Sequence, residues 1–115
     1  MSAVPLKVVR KKLVHEAVLD KIDREHLSIN TDKVRARLQT NREHVHGNML
    51  RKCLDQWERI ITDNDIDTVR KISVSDTETD REMRNMSPLS VLLSESERLR
   101  VLDLLVEKTL MQPDD

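Results

Sequence analysis

The chain has 115 residues, 37% of them hydrophobic and 36% charged, with Trp57 as its single aromatic. That length bounds one domain whose core must be filled by aliphatic side chains, with little margin for folding alone. Dimerisation or folding on a partner stays open on those terms, while the net charge of −1 argues against full disorder.

The balance hides a polarity. Residues 1–58 carry twelve Lys/Arg against eight Asp/Glu, and residues 59–115 carry eight against thirteen. Such asymmetry fits a basic end that faces nucleic acid and an acidic end that faces a partner, or simply solvated helix faces. The single cysteine, Cys53, excludes a disulfide framework. No N-terminal apolar run has the length of a signal peptide, and no segment has the length to span a bilayer. The expectation is a cytoplasmic protein with no membrane contact.

With one Gly, three Pro and no sustained apolar alternation, the chain reads as helices. The expected fold is all-α, a small bundle of four to six helices in one domain over 1–115, with a dimer as an open alternative. Residues 1–5 and 112–115 read as disordered ends. A first helix spans Leu6 to about Glu25, with Leu6, Val9, Leu13, Ala17, Val18 or Leu19, and Ile22 at helical spacing. Lys7, Arg10, Lys11 and Lys12 make its first turns basic, against the helix dipole. Asn30 or Thr31 opens a second helix through Val34 and Leu38 and as far as Val45. Gly47 is expected to close it in a left-handed conformation.

The third helix, about Met49 to Ile61, carries Leu50, Leu54, Trp57 and Ile61 in one stripe. A short fourth helix is lined by Ile66, Val69 and Ile72. The polar stretch that follows, with Ser75 or Asp76 as a cap, reads as a fifth helix or a mobile connector. Residues 74–93 are expected to be flexible or to dock on a partner. Pro88 turns Ser87 away from helix and can start a short helical turn through Leu92. Ser94 and Glu97 form a capping box for a last helix, about Glu95 to Met111. Its Leu99, Val101, Leu102, Leu104, Leu105, Val106 and Leu110 cover well over half the circumference, so it needs two surfaces against it.

No reaction chemistry emerges. His44, His46 and Cys53 lie near one another in sequence, but His-x-His on a helix splays the rings by about 200°, so no metal is expected. Cys53 shares a face with Leu50, Leu54 and Trp57 and reads as core. The absence of a Gly-rich loop removes phosphate-cradle motifs. No cofactor and no catalytic residue is expected, and the chain reads as non-enzymatic. The main alternative to protein binding is a DNA-binding regulator using residues 31–52, two helices of helix-turn-helix dimensions whose Lys33, Arg35, Arg37 and Arg42, with Arg51 and Lys52, would contact phosphates, although the connection His44–Asn48 is longer than the usual tight turn.

Trp57-Glu58, Ser75 with Glu78, Met83-Arg84, Ser87-Pro88, Leu93-Ser94 and Glu97-Arg98 follow one another in a recognisable order. Over residues 57–102 the chain resembles a group of short bacterial proteins associated with toxin–antitoxin loci as candidate antitoxins. It departs from their pattern at Leu89, Ser90, Val91 and Leu92, where an aromatic residue, Ala, Gly and Val are usual. The resemblance implies a non-catalytic antitoxin that neutralises a toxin encoded nearby by direct binding. Antitoxins lay such a segment, or an adjoining amphipathic helix, into a groove. Met83, Arg84, Met86, Pro88, Leu89, Leu92 and Leu93 are then the candidate partner-binding residues, Arg84 reaching an acidic nuclease centre or pairing with Asp80. Folding of the same segment over the last helix as core is the competing reading. A third is a phage or mobile-element inhibitor of a host protein.

Overall fold

In the computed structural model, which describes residues 5–111, with side chains to Thr109, the chain forms six α-helices and one 3-10 turn and, among those residues, no strand. They are α1 (Leu6–Glu25), α2 (Asp32–His44), α3 (Asn48–Thr62), α4 (Ile66–Val74), α5 (Glu78–Asn85), the 3-10 turn Leu89–Leu92, and α6 (Glu95–Met111). The expected ends at 1–4 and 112–115 lie outside the described residues; Pro5 precedes α1, and its carbonyl accepts from Val8 and Val9.

Local chemistry sets most helix starts. Thr31 caps α2 by accepting from the Val34 amide at 3.2 Å. Asp65 caps α4 by accepting from the Thr68 amide and hydroxyl. Thr77 caps α5 through the Asp80 amide, in place of the expected Ser75 or Asp76. The Ser94–Glu97 capping box forms as expected, the Glu97 amide donating to Ser94 Oγ and the Ser94 amide to Glu97 Oε1 at 2.7 Å. Each such cap satisfies an amide that the first helical turn leaves free. Gly47 does take positive φ, 99° with ψ 150°. It does so at the start of α3, whereas α2 ends at His44 through an extended Val45. That conformation is open to glycine and strained for residues with a Cβ.

The core gathers Val18, Ile22, Ile29, Val34, Leu54, Trp57, Ile61, Val69, Met83, Leu89 and Val101, with α3 contributing its largest element. Trp57 is fully buried and packs on the His15 ring at 5.8 Å between centroids. Leu50, expected in the same stripe, is only half-buried at the start of α3. Of the described apolar side chains along α6, to Thr109, Val101 alone is buried. Among the helices α6 packs closely against α1 only, and antiparallel to it: Lys21 near the end of α1 meets Glu97 at the start of α6.

The short elements are held from outside. Helices of nine and eight residues, α4 and α5, are marginal on their own, and their last carbonyls lack intrahelical donors. The Trp57 indole N–H donates to the Met83 carbonyl at 2.8 Å, in the last turn of α5. Asn41 donates to the Met86 carbonyl just beyond it. The Arg84 guanidinium donates to the carbonyls of Ile72 and Ser75 at the end of α4, both at 2.6 Å. Lys21 donates to the Leu92 carbonyl at the end of the 3-10 turn, at 2.8 Å.

Trp57 thus fills the core and closes α5. Trp57→Ala is expected to cost about 3–5 kcal/mol. Trp57→Phe keeps most of the volume and strands the Met83 carbonyl, for about 1–3 kcal/mol. Chemical denaturation checks both, and a Phe variant of wild-type stability would show that the indole N–H holds nothing.

Candidate protein-docking surface

The seven residues expected to meet a partner lie mostly inside the fold. Met83, Arg84, Pro88, Leu89 and Leu93 are buried, Leu89 completely, and Met86 and Leu92 are half-buried. The physical reason is the set of tethers just described, which draws the α5–α6 connection onto α1, α2 and α3. The segment 74–93 is accordingly built of α4's last residue, α5 and the 3-10 turn, packed against those helices. Arg84 neither pairs with Asp80 nor reaches outward; its guanidinium closes α4. Burial pushes its pKa down, opposed by Asp76 and Asp80, and Nε and Nη2 are buried without an acceptor.

The residues of the antitoxin-like pattern share this internal role. Trp57 and Met83 bond to each other, Arg84 to Ser75, the Leu89 amide to Ser87 Oγ, and Arg98 to the Ser90 carbonyl. Glu97 bonds Lys21 at 2.7 Å, and that ammonium with the Ser94 amide holds the Glu97 carboxyl down at about 2.

Sequence reasoning passed over His15. It is 2% exposed. Ser73 Oγ donates to the Val69 carbonyl, so it accepts from His15 Nδ1–H at 3.1 Å, and Nε2 is left buried without a partner. Desolvation, then the nearby positive charges of Arg84 and Lys11, lower its pKa from 6.5 to about 4. The signal available in sequence was its place two residues after Leu13 and three before Val18, on the inner face of α1. Cys53 is buried as expected, its thiol pushed up by burial and by Glu82. His44 ends α2, His46 lies in the following loop, and among the described residues no three His, Cys, Asp or Glu side chains gather as metal ligands.

The six basic residues weighed for DNA do not form one patch. Val34 and Leu38 are the buried line of α2, and at about 100° per residue Lys33 and Arg37 fall on one flank of it, Arg35 and Arg42 on the other. Arg42 pairs with Asp55 and Glu58 of α3, and Arg35 donates to Asn30. Arg51 and Lys52 are exposed. Arg37 alone joins a larger cluster.

That cluster lines a groove along one side of the α1–α6 seam. At one end a notch of about 280 Å³ is bounded by Arg10, Lys11, Val14, Arg37, Ser90, Arg98, Val101 and Leu102. It continues along Lys7, Leu6 and Leu105, sharing Arg10 and Leu102. Among the described residues five cations line it and no carboxylate does, whereas the clefts on the far side of the seam mix both signs, Asp20 and Glu97 with Arg24 and Arg100 in one. Beside the groove, α6 presents Leu99, Leu102 and Val106 at i, i+3 and i+7, exposed by 55, 42 and 56%. No family model, curated protein or solved structure matches the chain.

His15 makes stability depend on pH. Its folded pKa lies below its unfolded one, so its neutral form stabilises the fold fully above pH 6.5, and the contribution fades as pH falls towards 4. We expect a loss of up to about 3 kcal/mol across that window, and a flatter profile for His15→Leu. Denaturation series at several pH values test this; an unchanged slope in the variant would assign the effect to other groups.

Proposed function

We propose that the chain is a non-catalytic protein-binding module of the antitoxin kind, which docks a partner protein on the outer face of α1 and α6. One observation carries this reading: the exposed line Leu99–Leu102–Val106 on a helix that packs closely against α1 alone. Contiguous apolar side chains left in water on an otherwise well-filled bundle mark interaction sites, and burying each contributes about 1.5–3 kcal/mol. Rows at i, i+3 and i+7 are the usual register of helix-in-groove recognition. The resemblance over 57–102 supports the antitoxin assignment and a toxin encoded nearby as the partner. Since the residues of that pattern hold the chain's own helices together, the partner contact moves from Met83–Leu93 to the adjoining helix. A reducing cytoplasm fits the single buried thiol of Cys53.

The test separates anchor from core. Leu99→Gln with Val106→Gln removes apolar contact without adding charge or opposing helix. The variant is expected to fold like the wild type by circular dichroism and to lose complex formation with the neighbouring gene's product, and neutralisation of its toxicity. Leu89→Asp is expected to unfold the free protein, since the new carboxylate is fully buried. A folded Leu89→Asp chain that fails to bind, beside a Leu99→Gln/Val106→Gln chain that binds normally, would return the partner site to the α5–α6 connection.

A further inference from the structure

We infer that the segment seated in the α1–α6 groove is an acidic amphipathic segment of the partner protein, with carboxylates spaced about one helical turn apart beside aliphatic anchors. This rests on the protein-binding reading above and names the chemistry it requires.

Lys7, Arg10, Lys11, Arg37 and Arg98 come from three helices and meet at one groove. None of them has a carboxylate within ion-pair distance among the described residues, and unlike the other unpaired cations they converge on one groove. Lys11 is half-buried in their midst, and burial together with Arg10, Lys7 and Arg37 disfavours its charge. A group of like charges converging on a concave surface raises the local concentration of an anionic ligand and strengthens its hold. The groove therefore asks for carboxylates or phosphates.

The floor decides between them. Val14, Val101, Leu102, Leu105 and Leu6 lie between and beneath the cations. A nucleic acid would satisfy the cations and leave these side chains in water. It would find no aromatic to stack on, because the chain has no Phe or Tyr and Trp57 is buried. A protein segment that alternates Glu or Asp with Leu, Ile or Val satisfies both at once. The dimensions agree. Leu6 to Val14 spans about two helical turns, roughly 12 Å, with Lys7 and Lys11 one turn apart. Arg37 and Arg98 stand at the inner end, beside Ser90, whose carbonyl accepts from Arg98.

The experiment uses the intact chain and labelled probes: a short helix-forming peptide with Leu at every third and fourth position and Glu between, its counterpart with Lys for Glu, and random-sequence duplex DNA. Binding is read by fluorescence anisotropy across salt concentrations. The Glu peptide is expected to bind with strong salt dependence and more tightly than the duplex, and the Lys peptide not to bind. Arg10→Glu with Arg37→Glu is expected to weaken the Glu peptide by about tenfold or more. Those two side chains are exposed and make no hydrogen bond or ion pair among the described residues, so the variant should melt no lower than the wild type. No binding of the Glu peptide, equal binding of the Lys peptide, tighter binding of the duplex, or salt-sensitive self-association that closes the groove would each overturn the inference. The neighbouring gene's product separates this from the reading beneath it. If Leu99→Gln/Val106→Gln loses that product and Arg10→Glu/Arg37→Glu keeps it fully, the acidic segment is wrong and protein binding stands. If both variants keep it, the docking face itself is wrong.

Discussion

The fold turns on side chains that reach from one helix to the open carbonyl end of another. Arg84 of α5 closes α4 through Ile72 and Ser75, and Trp57 of α3 closes α5 through Met83. Elements of eight and nine residues gain little from their own hydrogen bonds. Their order comes from these donors and from the apolar side chains beside them. A buried guanidinium is costly unless its partners are good ones, and helix-terminal carbonyls, carrying the negative end of the dipole, suit a cation well. With α4 and α5 held, the chain past Pro88 has one direction to take. It lays Leu89 and Leu93 into the core and delivers Ser94 to the end of α1, where Lys21 binds both the Leu92 carbonyl and Glu97.

That delivery explains why α6 is one-sided. The capping box and the Lys21–Glu97 pair fix its start, and Val101 with Leu105 keys it to α1. Among the described residues no other helix packs closely on it, and Leu99, Leu102 and Val106 face outward beside a line of cations. The same tethers that bury much of Met83–Leu93 in the free protein leave the outer side of the following helix exposed. The buried connection and the proposed docking face are thus consecutive in sequence.

Much of the bundle was legible in the residues. α1 and α6 have the boundaries their spacing and caps indicated, because 3.6-residue periodicity and a Ser-x-x-Glu box are local signals. What was not legible is long-range. Nothing local tells that the Arg at 84 would bond carbonyls of the previous helix, or that His15, a polar residue in an apolar row, would sit against Trp57 and Ser73. The surplus of apolar residues along α6 indicated two contact surfaces; the structure supplies one, α1, and leaves Leu99, Leu102 and Val106 exposed. The connection folded back on the core and does not cover that outer surface. The groove was hidden for a related reason: Lys7, Arg10, Lys11, Arg37 and Arg98 are scattered over ninety-two positions and become neighbours only in the folded bundle.

The central claim is that the α5–α6 connection belongs to the core of the free protein. Amide hydrogen exchange of the isolated chain measures this directly, because protected amides report the free energy of opening segment by segment. The account predicts that the hydrogen-bonded amides of Met86, Ser87, Leu89 and Leu93 exchange with nearly the same protection as those around Trp57 in α3. Rapid exchange of that segment while α3 stays protected would contradict it, and would make the connection an ordering segment that waits for a partner.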